Sequence, residues 1–138
     1  MRDYKKEYEE RVAFIRDLLE KSGAKGIVYG NSGGKDSALV GILCKAACDN
    51  TVGIIMPCAS KRNFGQDAED ARIAADQYGI ETRFIDLTPV REAEMQQLSS
   101  LTEVTPAAAV NIAPRLRMTT LYAVAASEGR LVAGTGNR

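Results

Sequence analysis

Eight consecutive residues, Gly30, Asn31, Ser32, Gly33, Gly34, Lys35, Asp36 and Ser37, bring together three glycines, two hydroxyls, an amine and a carboxylate. The apolar run just before them, residues 26–29, reads as a buried strand, and residues 38–48 read as a helix apolar nearly all round. A glycine-rich turn between a strand and a helix start is an anion-binding device. The first N–H groups of a helix lack internal partners, and the macrodipole adds about half a positive charge there. Glycines let the backbone turn its N–H groups towards phosphate oxygens, and Ser32 and Ser37 add hydroxyl donors. The spacing is not that of a mononucleotide loop, because Gly30 and Gly34 stand one residue too close and Asp36 follows Lys35 where a hydroxyl is required. Nor does it fit the dinucleotide pattern, since only two residues separate Gly30 from Gly33. A carboxylate in a phosphate nest repels its ligand unless a cation lies between them. Asp36 therefore implies Mg²⁺, a hard ion that bridges carboxylate and phosphate oxygens.

The elements that must hold this loop alternate along the chain. Residues 4–22 form an amphipathic helix pattern ended by Gly23, with Tyr8, Val12, Ile15 and Leu19 on one face. Residues 52–56 read as a second buried strand, followed by a loop over 58–65 that carries Lys61 and Arg62. A helix over 66–78 and a third strand over 83–87 follow. Thr88 and Pro89 look like an N-cap and first helical position for a helix to about residue 98. Residues 99–110 read as irregular or weakly helical, a loop placed to cover a site. A long helix over 111–127, capped by Asn111, precedes a fourth strand over 130–134 and a final loop containing Thr135. That helix is apolar on most sides, so burial in the domain or against a second subunit is expected. The order predicts an α/β fold: one domain over 1–138, a doubly wound, flavodoxin-like parallel sheet in strand order 3-2-1-4. The glycine loop falls where the order reverses.

Composition narrows the function classes. The 138 residues carry 18 basic and 18 acidic side chains, so no global field favours nucleic acid. There is no histidine, which removes imidazole as base, nucleophile or ligand. No apolar run approaches the ~20 residues of a membrane span, and the charged first ten residues lack a signal-peptide core, so a cytoplasmic setting is expected. Three cysteines, Cys44, Cys48 and Cys58, include no C-x-x-C and read as small buried hydrophobes; a sulfur relay is the functional alternative.

The hexapeptide Ser32-Gly33-Gly34-Lys35-Asp36-Ser37 resembles the SGGxDS signature of the PP-loop ATP pyrophosphatases, which share an adenine nucleotide alpha hydrolase-like fold. Residues 111–118 (Asn-Ile-Ala-Pro-Arg-Leu-Arg-Met) and 131–138 (Leu-Val-Ala-Gly-Thr-Gly-Asn-Arg) resemble segments of the ammonia-dependent NAD synthetases. With the loop, the resemblance covers about residues 5–138. It implies that ATP adenylylates the carboxylate of deamido-NAD⁺ and that ammonia then displaces AMP, giving NAD⁺. It also implies that residues 30–37 and Thr135 bind ATP, that Asp36 ligates Mg²⁺, that Arg115 binds deamido-NAD⁺, and that the protein is a homodimer joined through the helix from Asn111. Arg115 and Arg117 point about 200° apart on a helix, so only one is expected in a given pocket, with Arg117 left to packing or a partner subunit.

Two departures from the family pattern stand out. Asn31 replaces a usually apolar residue, and the family's metal-binding Glu and later lysines lie beyond Arg138. The chain is therefore expected to be the N-terminal part of a longer unit, binding nucleotide weakly and catalysing little alone. A PP-loop tRNA thiolation enzyme and a non-catalytic ATP-binding domain are the alternative readings.

Overall fold

A computed structural model describes residues 3–58 and 68–134. The first helix, α1 (Tyr4–Ser22), begins where the Asp3 carboxylate accepts from the Lys6 N–H at 3.0 Å. It ends at Gly23, which takes the left-handed conformation at φ 72°. The chain then runs through β1 (Gly26–Gly30), α2 (Lys35–Ala47), β2 (Thr51–Ile55), α3 (Ala68–Gln77) and β3 (Glu81–Phe84). It continues with α4 (Thr88–Ser99), α5 (Pro106–Val110), α6 (Ile112–Glu128) and β4 (Arg130–Ala133).

The four strands form one parallel sheet in the order β3-β2-β1-β4. Val28 of β1 stands opposite Val52 on one side and Val132 on the other. Alternation along each strand feeds two cores. Val28, Val52, Ile54 and Met56 pack under Leu121 and Ala125 of α6. On the opposite face Tyr29 packs with Ala75 and Ile80, and Ile55 packs with Ala68 and Ala71 of α3. Helices thus cover both faces, as expected for a doubly wound sheet. Tyr29 fills the space left by two glycines: a Cβ on Gly41 would collide with its hydroxyl, and one on Gly53 would come within 2.9 Å of its ring.

Several boundaries move. β3 lies two residues earlier than the apolar run 83–87 suggests. Phe84 and Ile85 are 45% and 40% exposed, so their hydropathy does not mark a buried strand. This is a sheet edge, and the Arg72 guanidinium lies 5.6 Å from the Phe84 ring centroid. Thr88 is not the cap of α4: its N–H donates to the Asp86 carboxylate at 2.9 Å. Asn111 holds the N-cap position of α6, but its side chain makes no capping hydrogen bond. It sits in helical conformation at the end of α5 and its amide donates to the Ala107 carbonyl at 3.2 Å. The stretch expected to be irregular contains α5, which Thr105 caps by accepting from the Ala108 N–H. In α6 only Leu121 and Ala125 are buried, and Met118 and Tyr122 stay 40% and 59% exposed, so the domain itself covers one face of this helix.

Candidate functional site

Strand order reverses at β1, whose neighbours lead away in opposite directions, and the loop after β1 lies at the carboxyl edge of the sheet. Gly30 ends β1, residues 31–34 form the turn, and Lys35, Asp36 and Ser37 make the first turn of α2. A Cβ on Gly30 would stand 3.1 Å from the Met56 methyl, tighter than most real contacts. Gly33 has φ 89°, a conformation that side-chain-bearing residues rarely adopt.

The loop holds its own shape through neutral hydrogen bonds. Buried Ser37 accepts from the Ser32 N–H at 3.2 Å and donates to the Gly34 carbonyl at 3.1 Å. The Ser32 hydroxyl donates to Ser37 Oγ at 3.2 Å and accepts from the Gly34 N–H at 3.3 Å. Both hydroxyls are thus engaged inside the loop rather than held out as donors. Gly34 begins α2 with no side-chain cap, so no cap residue takes the N–H groups of that first turn. Lys35 and Asp36 are exposed beside them, and the carboxylate there also complements the helix dipole.

A cleft of about 1410 Å³ opens over the loop. Residues 30–37 line one wall, the ends of β2 and β4 form the floor, and α6 forms the opposite wall with Arg115, Arg117, Pro114, Met118 and Leu121. Sequence reasoning expected only one of the two arginines here, and the structure places both. Pro114, Met118 and Leu121 form the stripe of α6 that faces the cleft. Arg115 lies about 90° to one side of that stripe and Arg117 about 70° to the other, within reach for long side chains. Arg117 is half-buried and its Nε donates to the Met56 carbonyl at 2.9 Å, while Arg115 is exposed. Asp70 of α3 also lines the cleft; an acidic residue in the first turn of a helix beside the sheet's carboxyl edge was the signal for it. Thr135, Lys61 and Arg62 lie outside the described residues.

The cysteines stand apart from this chemistry. Burial, with Cys48 nearby, pushes the Cys44 thiol up to about 11, and Cys58 is 5% exposed in the core under α6. A thiol held protonated in apolar surroundings is a poor nucleophile. Among the described residues no helix is long and apolar enough to cross a membrane.

Comparison with known proteins fits this geometry. The family model described as NAD synthase matches residues 7–138. The chain is 40% identical, over 99% of its length and 56% of the relative's, to an NH(3)-dependent NAD(+) synthetase of Carboxydothermus hydrogenoformans. Among solved structures it is similar to an NH3-dependent NAD synthetase from Campylobacter jejuni, described in complex with a nitrate ion. That match has a TM-score of 0.86 and 34% identity, over 99% of this chain and 58% of that one. It is also similar to an NMN synthetase from Francisella tularensis, at a TM-score of 0.90 and 30% identity, over 99% and 56%. The chain spans about half the length of the curated relatives it matches.

Proposed function

The chain belongs to the NAD synthase family, and from that premise we propose that it supplies the ATP-gripping part of ammonia-dependent NAD⁺ synthesis. The observation that carries this reading is the shared cleft. The glycine loop at the strand-order reversal faces Arg115 across one opening, so a nucleoside triphosphate and a second anionic substrate can meet there. A carboxylate is a poor acyl donor until one of its oxygens becomes part of a leaving group. The carboxylate of deamido-NAD⁺ attacks the α-phosphorus of ATP, the bond to pyrophosphate breaks, and an acyl-adenylate forms. Ammonia then adds to the acyl carbon and AMP departs, leaving the amide.

The residues divide the work. N–H groups at the start of α2 and the Lys35 amine hold the pyrophosphate part and stabilise it as it leaves. Thr135, after β4, contacts ATP, and Arg115 holds deamido-NAD⁺. Asp36 is the carboxylate that this loop offers to Mg²⁺. Among the described residues there is no cluster of three or more His, Cys, Asp or Glu able to hold a metal, so Asp36 would share the ion with substrate phosphates and water. When bound, Mg²⁺ neutralises phosphate charge. Residues 1–138 form a single PP-loop domain in this reading, in a cytoplasmic homodimer. The exposed face of α6, with Met118 and Tyr122, is the proposed contact; sedimentation as a monomer at high concentration counts against it.

Calorimetric titration with ATP in the presence and absence of Mg²⁺ tests the core of the proposal. Metal-dependent binding, weakened about tenfold in Asp36→Asn, is expected. Metal-independent binding, or none, overturns it. Pyrophosphate release on adding deamido-NAD⁺ would exclude a non-catalytic nucleotide-binding domain. Offering deamido-NAD⁺ and its mononucleotide counterpart side by side separates the two products that the relatives' names carry.

A further inference from the structure

A buried amide stands directly behind the phosphate loop. Asn31 is 4% exposed, and both ends of its side chain are bonded. Its Nδ2 donates to the Ala71 carbonyl of α3 at 3.1 Å, and its Oδ1 accepts from the Gly33 N–H at 3.2 Å. The orientation of the amide is set by chemistry. A carbonyl can only accept, so the NH₂ group must face Ala71, and the oxygen is thereby aimed at Gly33. Gly33 is the one residue of the turn with a positive φ, so this bond falls where the loop departs most from ordinary backbone. The backbone of Asn31 is held separately, its N–H donating to the Ile54 carbonyl at 2.9 Å, so the strand ladder does not depend on the side chain. On the far side of the link, Ala68 and Asp70 of α3 line the same cleft as the loop.

We propose that Asn31 is a positioning residue: its amide locks the Gly33 turn in the anion-receptive shape and fastens it to α3, the neighbouring wall of the cleft. The proposal rests on the reading of this loop as the pyrophosphate grip. An apolar side chain of equal size would fill the same space but leave the Gly33 N–H without its acceptor, and the turn would sample other shapes before each capture event. A preset turn forgoes that ordering cost.

The test compares the unaltered chain with Asn31→Leu and Asn31→Ser, using inorganic pyrophosphate with Mg²⁺ as the probe. Amide exchange is read at Gly33 and, as a control for the fold, at Val52 and Ile54 of β2. In Asn31→Leu, Gly33 exchange is expected to speed up and pyrophosphate affinity to fall, each about tenfold, with Val52 and Ile54 unchanged. Asn31→Ser, whose hydroxyl can accept from Gly33 but cannot reach Ala71, is expected to recover most of the Gly33 protection and part of the affinity. Pyrophosphate binding to Asn31→Leu as tight as to the unaltered chain, or tighter, overturns the proposal while leaving the anion site in place. Failure of the unaltered chain to bind pyrophosphate or ATP overturns the anion-site reading itself. The Gly33 exchange contrast then decides alone whether Asn31 sets the turn.

Discussion

The two ends of the sheet are stabilised by opposite means. At the amino end, charge is consumed. Arg130 of β4 has a side chain only 8% exposed; its Nε pairs with Glu128 at 2.7 Å and its Nη1 donates to the Asn50 carbonyl at 2.9 Å. The same Glu128 takes Arg83 from β3 at 2.6 Å, so one carboxylate links the two edge strands. At the carboxyl end, neutral groups hold the glycine loop, and beside it Arg117 makes a charged hold on the Met56 carbonyl. Asn31, Ser32 and Ser37 bond the loop to itself and to α3, and among the described residues no ion pair engages Lys35, Asp36 or Arg115. A scaffold that fixes its loop with amides and hydroxyls leaves the charges of Lys35 and Asp36 in that loop for a ligand. One that fixes its far end with arginine and glutamate gains placement of the strands and leaves nothing there to bind with.

Four substitutions or conditions can break or sharpen this contrast. Arg130→Ala is expected to cost about 1–2 kcal/mol in urea denaturation, because it removes a nearly buried side chain with its bonds to Glu128 and Asn50, while Glu128 keeps Arg83 and the Asn50 carbonyl keeps the Ile27 N–H, with ATP affinity unchanged. A matching loss of affinity would mean that the two ends are not separable. Asp36→Asn reverses the pattern. Stability should stay within about 0.5 kcal/mol while Mg²⁺-dependent ATP affinity falls about tenfold, read by calorimetry. Gly33→Ala should act on both, with about 1 kcal/mol of strain and weaker pyrophosphate binding. An unchanged melting temperature and affinity would show that the turn does not need its positive φ.

The smallest effect is one of pH. Hydrogen bonds from Arg83 and then Arg130 pull the Glu128 carboxyl down to about 2 in the folded chain, from 4.5. A lowered folded-state value means that the contribution is complete above the unfolded value. It is lost as the pH falls from about 5 towards 2. Acid denaturation profiles should therefore flatten over that window in Glu128→Gln.

Much of the loop and fold was legible because it depends on local chemistry. The SGGxDS-like hexapeptide, the apolar runs on either side, and the glycine stops after α1 and α6 are short-range signals, and they located β1, α2 and the strand order. The signals that misled were also local, but their meaning depended on partners distant in sequence. The run 83–87 looked like the third strand, yet β3 begins two residues earlier and lies at an open edge. Thr88 and Asn111 are residue types that cap helices, but Thr88 falls inside α4 and the Asn111 amide is spent on the Ala107 carbonyl of α5. Arg117 was set aside by a helical-wheel angle that treats a cleft as a point, whereas this one runs along several turns of α6.

The sequence by itself determined that a strand, a glycine turn and a helix start would meet with a carboxylate among them, because hydropathy period and backbone permissiveness act between neighbours. Only the tertiary structure decided that Arg115 and Arg117 face that turn from α6, that Asn31 is tied to a carbonyl forty residues away, and that Glu128 spans the opposite end. Those contacts depend on where the sheet sets its helices, and no local pattern encodes that placement.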